Sequence, residues 1–411
     1  MRAAPLSGYA VFAAMLTAAG LPIYIHAPKF YVDQYGVSLA ALGSVLFGLR
    51  LLDVVQDPAL GWLSERLHRW RSLAVLAAVA LLVASMAALF AVVPPVAPLL
   101  WFALSLTGLF TAFSFLTITF YAQGVSRAGR MGPGGHVRLA AWRETGGLLG
   151  VSVAAVAPTV LMTVTAAPFA AFALGFGGLA AVAAVAMWRD WSLPAAAETT
   201  GWREVLADAV ARRLLLLALI NATPVAVTST LFLFFVESRL GLPGWEGPLL
   251  VLFFLSAAAS APGWGRAARR FGEKPALLAG MGLSILAFGF ATLLGTGDGL
   301  AFAAICVASG AALGADMTLL PAIFAGRMAR IAPNAGQAFG LWSFVSKFTL
   351  ALAAVAVLPL LQAAGFEPGE TASPERALVL LSLLYAALPC ALKLVALALL
   401  AATPLNRETI G

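Results

Sequence analysis

Apolar residues run along this chain in long blocks, not in the short alternation of half-buried strands. Twelve blocks can be marked out, near residues 6–28, 38–64, 72–93, 97–122, 137–163 and 167–188, then near 211–236, 246–266, 275–294, 300–324, 338–361 and 376–402. Each approaches or exceeds the ~20 residues that an α-helix needs to cross the hydrocarbon core of a bilayer. The longest polar stretch, WRDWSLPAAAETTGWREVLADAVARR, falls between the sixth and seventh blocks and splits the chain almost in half. The pattern predicts an all-α membrane protein of twelve transmembrane helices in two pseudo-symmetric six-helix halves, 1–188 and 211–411, joined by a linker over 189–210. Residues Trp202 to Arg213 read as a short surface helix. A weak internal echo fits two related halves: DPALGWLSERLHRW from Asp57 and APGWGRAARRFGEK from Ala261 both place Pro and Gly before a basic turn.

Composition agrees. The chain is 62% hydrophobic and 10% charged, against about 25% charged in soluble domains. Its 39 glycines and 23 prolines suit helices that pack closely or break. The net charge of +7 does not point to nucleic acid. Its bases cluster in alternate connections: Arg66, Arg69 and Arg71; Arg127 and Arg130; Arg189, Arg203, Arg212 and Arg213; Arg266, Arg269, Arg270 and Lys274; Arg327 and Arg330. By the positive-inside rule these face the cytoplasm, which puts both termini there too. Arginine and alanine outnumber lysine in the manner of a GC-rich bacterial genome, so a multi-pass protein of a bacterial inner membrane is expected. The first block continues into the bundle with no cleavable-signal pattern. Cys306 and Cys390, both in apolar segments, read as buried thiols.

Charges inside apolar blocks are costly, about 2.5–3.5 kcal/mol each on insertion scales. Arg50, Asp53 and Asp57 are three and four residues apart in the second block, on one helical face. Two carboxylates so close repel, and burial strips each of water; a bound sodium ion or proton relieves both costs. The alternative is a structural salt bridge from Arg50 to either acid. Lys347, in the eleventh block, needs a counter-charge, with Asp53 or Asp57 the natural partner across the halves; otherwise it snorkels to the cytoplasmic surface. Arg143 and Glu144, in HVRLAAWRETGGLLG, either reach a solute or belong, with Arg138, to a cytoplasmic network of salt bridges. Asp316 is a further intramembrane acid, which pairs near Pro321 or lines a pathway. Tyr9, Tyr24, Tyr121, Trp142 and Trp342 are aromatics that could stack on a solute, while His26 reads as an interface residue. HExxH, GxSxG, a phosphate-binding GK[ST] loop and clustered metal ligands are all missing. No enzyme activity and no cofactor are expected, and any transport should be secondary.

The stretch RLLDVVQDPALGW from Arg50 resembles the second-helix signature of the glycoside–pentoside–hexuronide:cation symporters, a family of the major facilitator superfamily that includes the melibiose permease. HVRLAAWRETGGLLG, GAALGADMTLLPA and FGLWSFVSKFTLALA resemble that family's helices 5, 10 and 11, in order. The resemblance implies cation-site carboxylates at Asp53 and Asp57, a functional arginine at Arg143 and a functional lysine at Lys347. Sugar-transporting members also use acids on helices 1 and 4. Here no acid lies between Met1 and Lys29, and the fourth block offers Ser114, Thr117, Thr119, Tyr121 and Gln123 instead.

The expected function is symport of a small solute, such as a sugar or glycoside, coupled to H+ or Na+ and run by alternating access. A proton needs fewer ligands than sodium, which favours proton coupling. The alternatives are an exporter or flippase of an amphiphilic, lipid-like molecule, and a non-transporting sensor with the same fold. The expected partners are the solute and the bilayer, with the chain acting as a monomer.

Overall fold

The computed structural model describes residues 5–191, 201–366 and 374–405. Among these residues all regular structure is helical. The helices are α1 (Leu6–Ala18), α2 (Leu21–Tyr35), α3 (Leu39–Arg66), α4 (Arg71–Phe90), α5 (Pro98–Gly129), α6 (Gly135–Leu161), α7 (Pro168–Trp191) and α8 (Trp202–Ala207). They continue with α9 (Ala209–Phe234), α10 (Glu246–Phe271), α11 (Glu273–Ala291), α12 (Gly299–Ile331), α13 (Gly336–Ala363), α14 (Glu375–Ser382) and α15 (Leu388–Ala402). Among the described residues, ten helices are long and apolar enough to cross a membrane, taking the run from Glu375 to Ala402 as one. This is a multi-pass membrane protein. Helix α3 is 28 residues long as well, but Arg50, Asp53 and Asp57 interrupt its apolar run.

The first apolar block does not form the single helix expected over 6–28. It breaks between α1 and α2 at Gly20, whose φ of −94° and ψ of −113° are not helical. A proline in the first turn of α2 explains the restart, since its missing N–H has no ladder partner to lose there. The surface helix expected over Trp202 to Arg213 is only α8. Asp208 stops it by capping α9, its Oδ1 accepting from Ala211 N at 2.7 Å. Much of the expected linker, residues 192–200, lies outside the described residues.

The chain forms two compact units. The first comprises Met1–Val205 with Met328–Phe344, the second Leu206–Arg327 with Val345–Gly411. The start of α13 therefore groups with the first unit, and local chemistry explains why. Glu65, near the end of α3, accepts from Gln337 N at 2.8 Å and Gln337 Nε2 at 2.9 Å. The acid thus sits at the positive N-terminal end of α13. The backbones also approach closely: a Cβ on Gly61 would lie 2.8 Å from Gly336 O, and one on Gly340 would lie 2.9 Å from Asp57 O.

Elsewhere in the first unit, α1 packs against α6 through Gly146 and Gly150. A Cβ on either glycine would run into the backbone of Ala10 or Ala14, the small-xxx-small contact that lets membrane helices meet backbone to backbone. Tyr9, Phe12, Phe120 and Trp191 fill the core beside it. In the second unit Gly310 and Gly314 of α12 play the same part against Phe253 and Ala257 of α10. Ser260 Oγ and Trp264 Nε1 of α10 both donate to Ala311 O of α12, at 3.0 and 2.7 Å. Two turns of wider, π-type pitch, Phe235–Arg239 and Leu383–Ala387, meet where Phe235 and Tyr385 stack with ring centroids 4.1 Å apart.

Candidate functional site

Asp53 and Asp57 are both buried in the first unit, Asp57 completely. The helical period puts them on one face of α3, while Leu51 and Val55 are exposed on other faces. Asp53 Oδ1 accepts from Ser114 Oγ of α5 at 2.8 Å and from Gln56 Nε2, within α3, at 3.1 Å. Thr111 Oγ1 of α5 in turn donates to Gln56 Oε1 at 3.1 Å. Two turns further along the same pair of helices, Ser64 Oγ and Thr119 Oγ1 share a hydrogen bond of 2.9 Å. Pro58 follows Asp57 inside α3 and has no N–H to give the Val54 carbonyl. Two carboxylates, hydroxyls and a backbone carbonyl with no ladder donor therefore gather along one stretch of α3. Oxygen donors of this kind suit a hard cation such as sodium, and the carboxylates suit a proton.

A second cluster joins α5 to α6. Arg143 Nε donates to Glu144 Oε1 at 2.7 Å, and both side chains are buried. Tyr121 OH donates to the same Glu144 oxygen at 3.1 Å. The Arg143 guanidinium carbon lies 3.7 Å from the centroid of the Tyr121 ring, a cation–π contact. Arg143 Nη2 is buried without a hydrogen-bond partner among the described residues.

Helix α5 ties the two clusters together. Ser114, Thr117 and Tyr121 are three and four residues apart, so they share a face. Seven residues of helix place the two clusters roughly 10 Å apart along its axis. Between them, the Thr117 hydroxyl is buried and has no hydrogen-bond partner among the described residues. The first unit thus holds a polar stripe with carboxylates at one end, a guanidinium at the other, and unused hydrogen-bonding capacity between.

The second unit holds a third buried cluster. Lys393 Nζ of α15 donates to Asn221 Oδ1 of α9 at 2.7 Å and forms an ion pair with Asp316 of α12. Asp316, expected to pair near Pro321 or to line a path, has a lysine from another helix as partner. Lys393 is not among the residues that the charge pattern singles out. Its signal was present, an ammonium inside the apolar run CALKLVALALL. Gln56, Thr111 and Asn221 are not singled out either, because an uncharged amide or hydroxyl in a long helix carries no such signal.

Arg50 is half-buried on α3, Lys347 half-buried on the part of α13 in the second unit, and Trp342 half-buried on the part in the first. Trp142 is 48% exposed, so it does not stack in the cluster that its neighbour Arg143 forms with Tyr121. Tyr9 is buried and stacks on Phe120, while the Tyr24 side chain lies outside the described residues. His26 Nε2 lies 3.0 Å from Ala155 O, linking α2 to α6.

A family model described as "MFS/sugar transport protein" matches residues 6–407. The chain belongs to that family. As a member of the major facilitator superfamily it shares its fold with solved transporters of distant sequence. A bacterial homologue of the iron transporter ferroportin, in an outward-facing state with soaked iron, is 14% identical, with a TM-score of 0.68 over 95% of this chain and 99% of that one. The human organic anion transporter MFSD10 is 15% identical, with a TM-score of 0.66 over 96% of this chain and 98% of that one. No curated protein matches the chain. Family and fold are those of membrane transporters.

Proposed function

We propose that this family member is a secondary active symporter. It couples the movement of a small solute, of the sugar or glycoside kind, to H+ or Na+. In this reading the chain crosses a bacterial inner membrane twelve times with both termini in the cytoplasm. The coupling ion binds at Asp53 and Asp57, and the solute's polar group engages Thr117 and Arg143. Bound cation cancels the charge of the acids and lets the site close over the solute; without it, repulsion and lost hydration oppose closure.

The observation that carries this reading is Asp53, a buried acid in a membrane helix held by Ser114 and Gln56 one turn from fully buried Asp57. A structural salt bridge to Arg50 would not require the hydroxyl and amide donors that α5 and Gln56 supply. The test is uptake into proteoliposomes with an imposed proton or sodium gradient, screening labelled sugars, glycosides and lysolipids. Gradient-driven accumulation of one of them, lost in Asp53→Asn while the variant stays folded, supports the proposal. Full gradient-driven uptake by Asp53→Asn would refute it.

A second reading has its own support. Helices α1 and α5 carry no acid, so sugar hydroxyls lack the charged acceptors that hold them best. A buried guanidinium nitrogen of Arg143 without a hydrogen-bond partner among the described residues, Nη2, suits an anionic headgroup. An exporter or flippase of an anionic amphiphile would move lysolipid out of the cytoplasmic leaflet and would not accumulate glycosides.

A further inference from the structure

The Lys393–Asp316–Asn221 cluster takes no part in the site proposed above, and its geometry asks for an explanation. Lys393 is 2% exposed and Asp316 8%, so a full ion pair has been taken out of water inside the second unit. A well-packed apolar pair of similar volume is often as stable, or more so, than such an ion pair. The pair is also incompletely bonded: Asp316 Oδ1 is buried with no hydrogen-bond partner among the described residues. Lys393 has three N–H groups, and two acceptors are found for them.

The helices that bring the cluster together are all weakened beside it. Pro224 lies three residues after Asn221 in α9, Pro321 lies five after Asp316 in α12, and Pro389 lies four before Lys393 in α15. The chain entering α15 has just made its π-type turn at Leu383–Ala387. Inside a helix, as at Pro224 and Pro321, proline removes a rung from the ladder and is the usual place to bend, whereas Pro389 stands in the first turn of α15 beside the π-type turn. The ion pair joins α12 to α15, so a bend in either helix would change its length.

Other charges are distant in sequence. Within two turns of Asn221, Asp316 and Lys393 on their own helices, the one other titratable side chain is Cys390, whose Sγ lies 3.6 Å from Ile285 O of α11. Helix α11 has no charged residue beyond Glu273 and Lys274 in its first turn, and α10 has none between Glu246 and Arg266. The remaining charge inside the apolar stretches of this unit is Lys347 on α13.

We propose that Asp316 and Lys393 form a second proton-binding site, separate from the Asp53–Asp57 carboxylates and loaded when the helices of the second unit bend. On separation a proton from water forms an O–H bond at Asp316 Oδ1. The Lys393 N–H···Oδ2 hydrogen bond breaks, and Lys393 keeps its proton and its bond to Asn221. The cluster gains one positive charge, carried by the Lys393 ammonium, whose remaining hydrogen bond is to Asn221 Oδ1. A metal ion is a poor occupant because the lysine ammonium already stands at the carboxylate.

Infrared difference spectroscopy of the full-length protein in liposomes tests this, following the carbonyl band of a protonated carboxyl as pH falls. The expected result is a band that grows as pH falls over the range in which the protein stays folded, is lost in Asp316→Asn, and remains in Asp53→Asn and Asp57→Asn. In Lys393→Met the band should be present already at neutral pH. If either single variant fails to fold, Asp316→Asn/Lys393→Met, which removes both charges, serves as the comparison for the lost band. A band unaffected by removing Asp316, or the absence of any such band at every pH at which the protein stays folded, would overturn the proposal. Neither result depends on whether Asp53 carries the coupling ion, because the Asp53 variants are read separately.

Discussion

Ser114 of α5 donates its hydroxyl hydrogen to Asp53 Oδ1 of α3 at 2.8 Å. That bond satisfies a buried acid and fixes the register of two long helices. A hydrogen bond to a charged group contributes about 1.5–3 kcal/mol, so Ser114→Ala should lower the stability of the purified protein by that order. The loss should largely vanish when Asp53 is already Asn. A double-mutant cycle by thermal unfolding in detergent checks this; strict additivity of the two substitutions would show that the contact contributes nothing.

Arg143 and Glu144 form a buried pair whose members are unequal in what they leave behind. Glu144→Gln strands a buried guanidinium and should cost about 3–5 kcal/mol, seen as poor yield and a large fall in melting temperature. Tyr121→Phe removes one neutral-to-charged hydrogen bond but keeps the ring beneath Arg143. It should cost about 1–3 kcal/mol or less. Equal effects of the two substitutions would contradict this account of the cluster.

Gly146 and Gly150 set the distance between α1 and α6. Gly146→Val or Gly150→Val should force the helices apart and cost at least the 1–3 kcal/mol typical of overpacking. Gly43, which has nothing within 4 Å of an added Cβ, should accept alanine with little change. Thermal stability of the three variants side by side tests the contrast.

Asp208 lies just outside α9 and its carboxyl is held below the usual range, first by its hydrogen bond with Arg327 and then by the backbone N–H of Ala211. A carboxylate with a depressed value stabilises the fold above its unfolded value, and that contribution is lost as pH falls through the folded one. Wild-type stability should therefore decline on acidification below about pH 4. Asp208→Asn should be less stable at neutral pH and should flatten that acid limb. A stability profile of unchanged slope in Asp208→Asn would show that other acids carry it.

Much of this was legible in the chain. Apolar blocks gave the helices, and the three-and-four spacing of Arg50, Asp53 and Asp57 marked one face of α3 as unusual. Resemblance pointed to Arg143, and the structure adds the partners Glu144 and Tyr121 that keep its charge tolerable. Other features depend on three-dimensional neighbours. The break at Gly20 and the shortness of α8 follow from local caps that hydropathy does not register. The grouping of α13's first turns with the first unit rests on Glu65 meeting Gln337, residues far apart in sequence. Trp142 and Arg143 are adjacent in sequence, yet one helical step of about 100° leaves one exposed and the other buried.

The most direct test of the central claim is the cation dependence of stability in wild type and Asp53→Asn, measured at constant ionic strength. A cation that binds only the folded protein adds about 2.7 kcal/mol at a hundredfold excess over its Kd. Melting temperature should rise with sodium, or shift with proton concentration if the proton is the coupling ion, and Asp53→Asn should lose that response while remaining folded. The same cation-linked stabilisation in wild type and Asp53→Asn would place the coupling ion elsewhere and contradict the account.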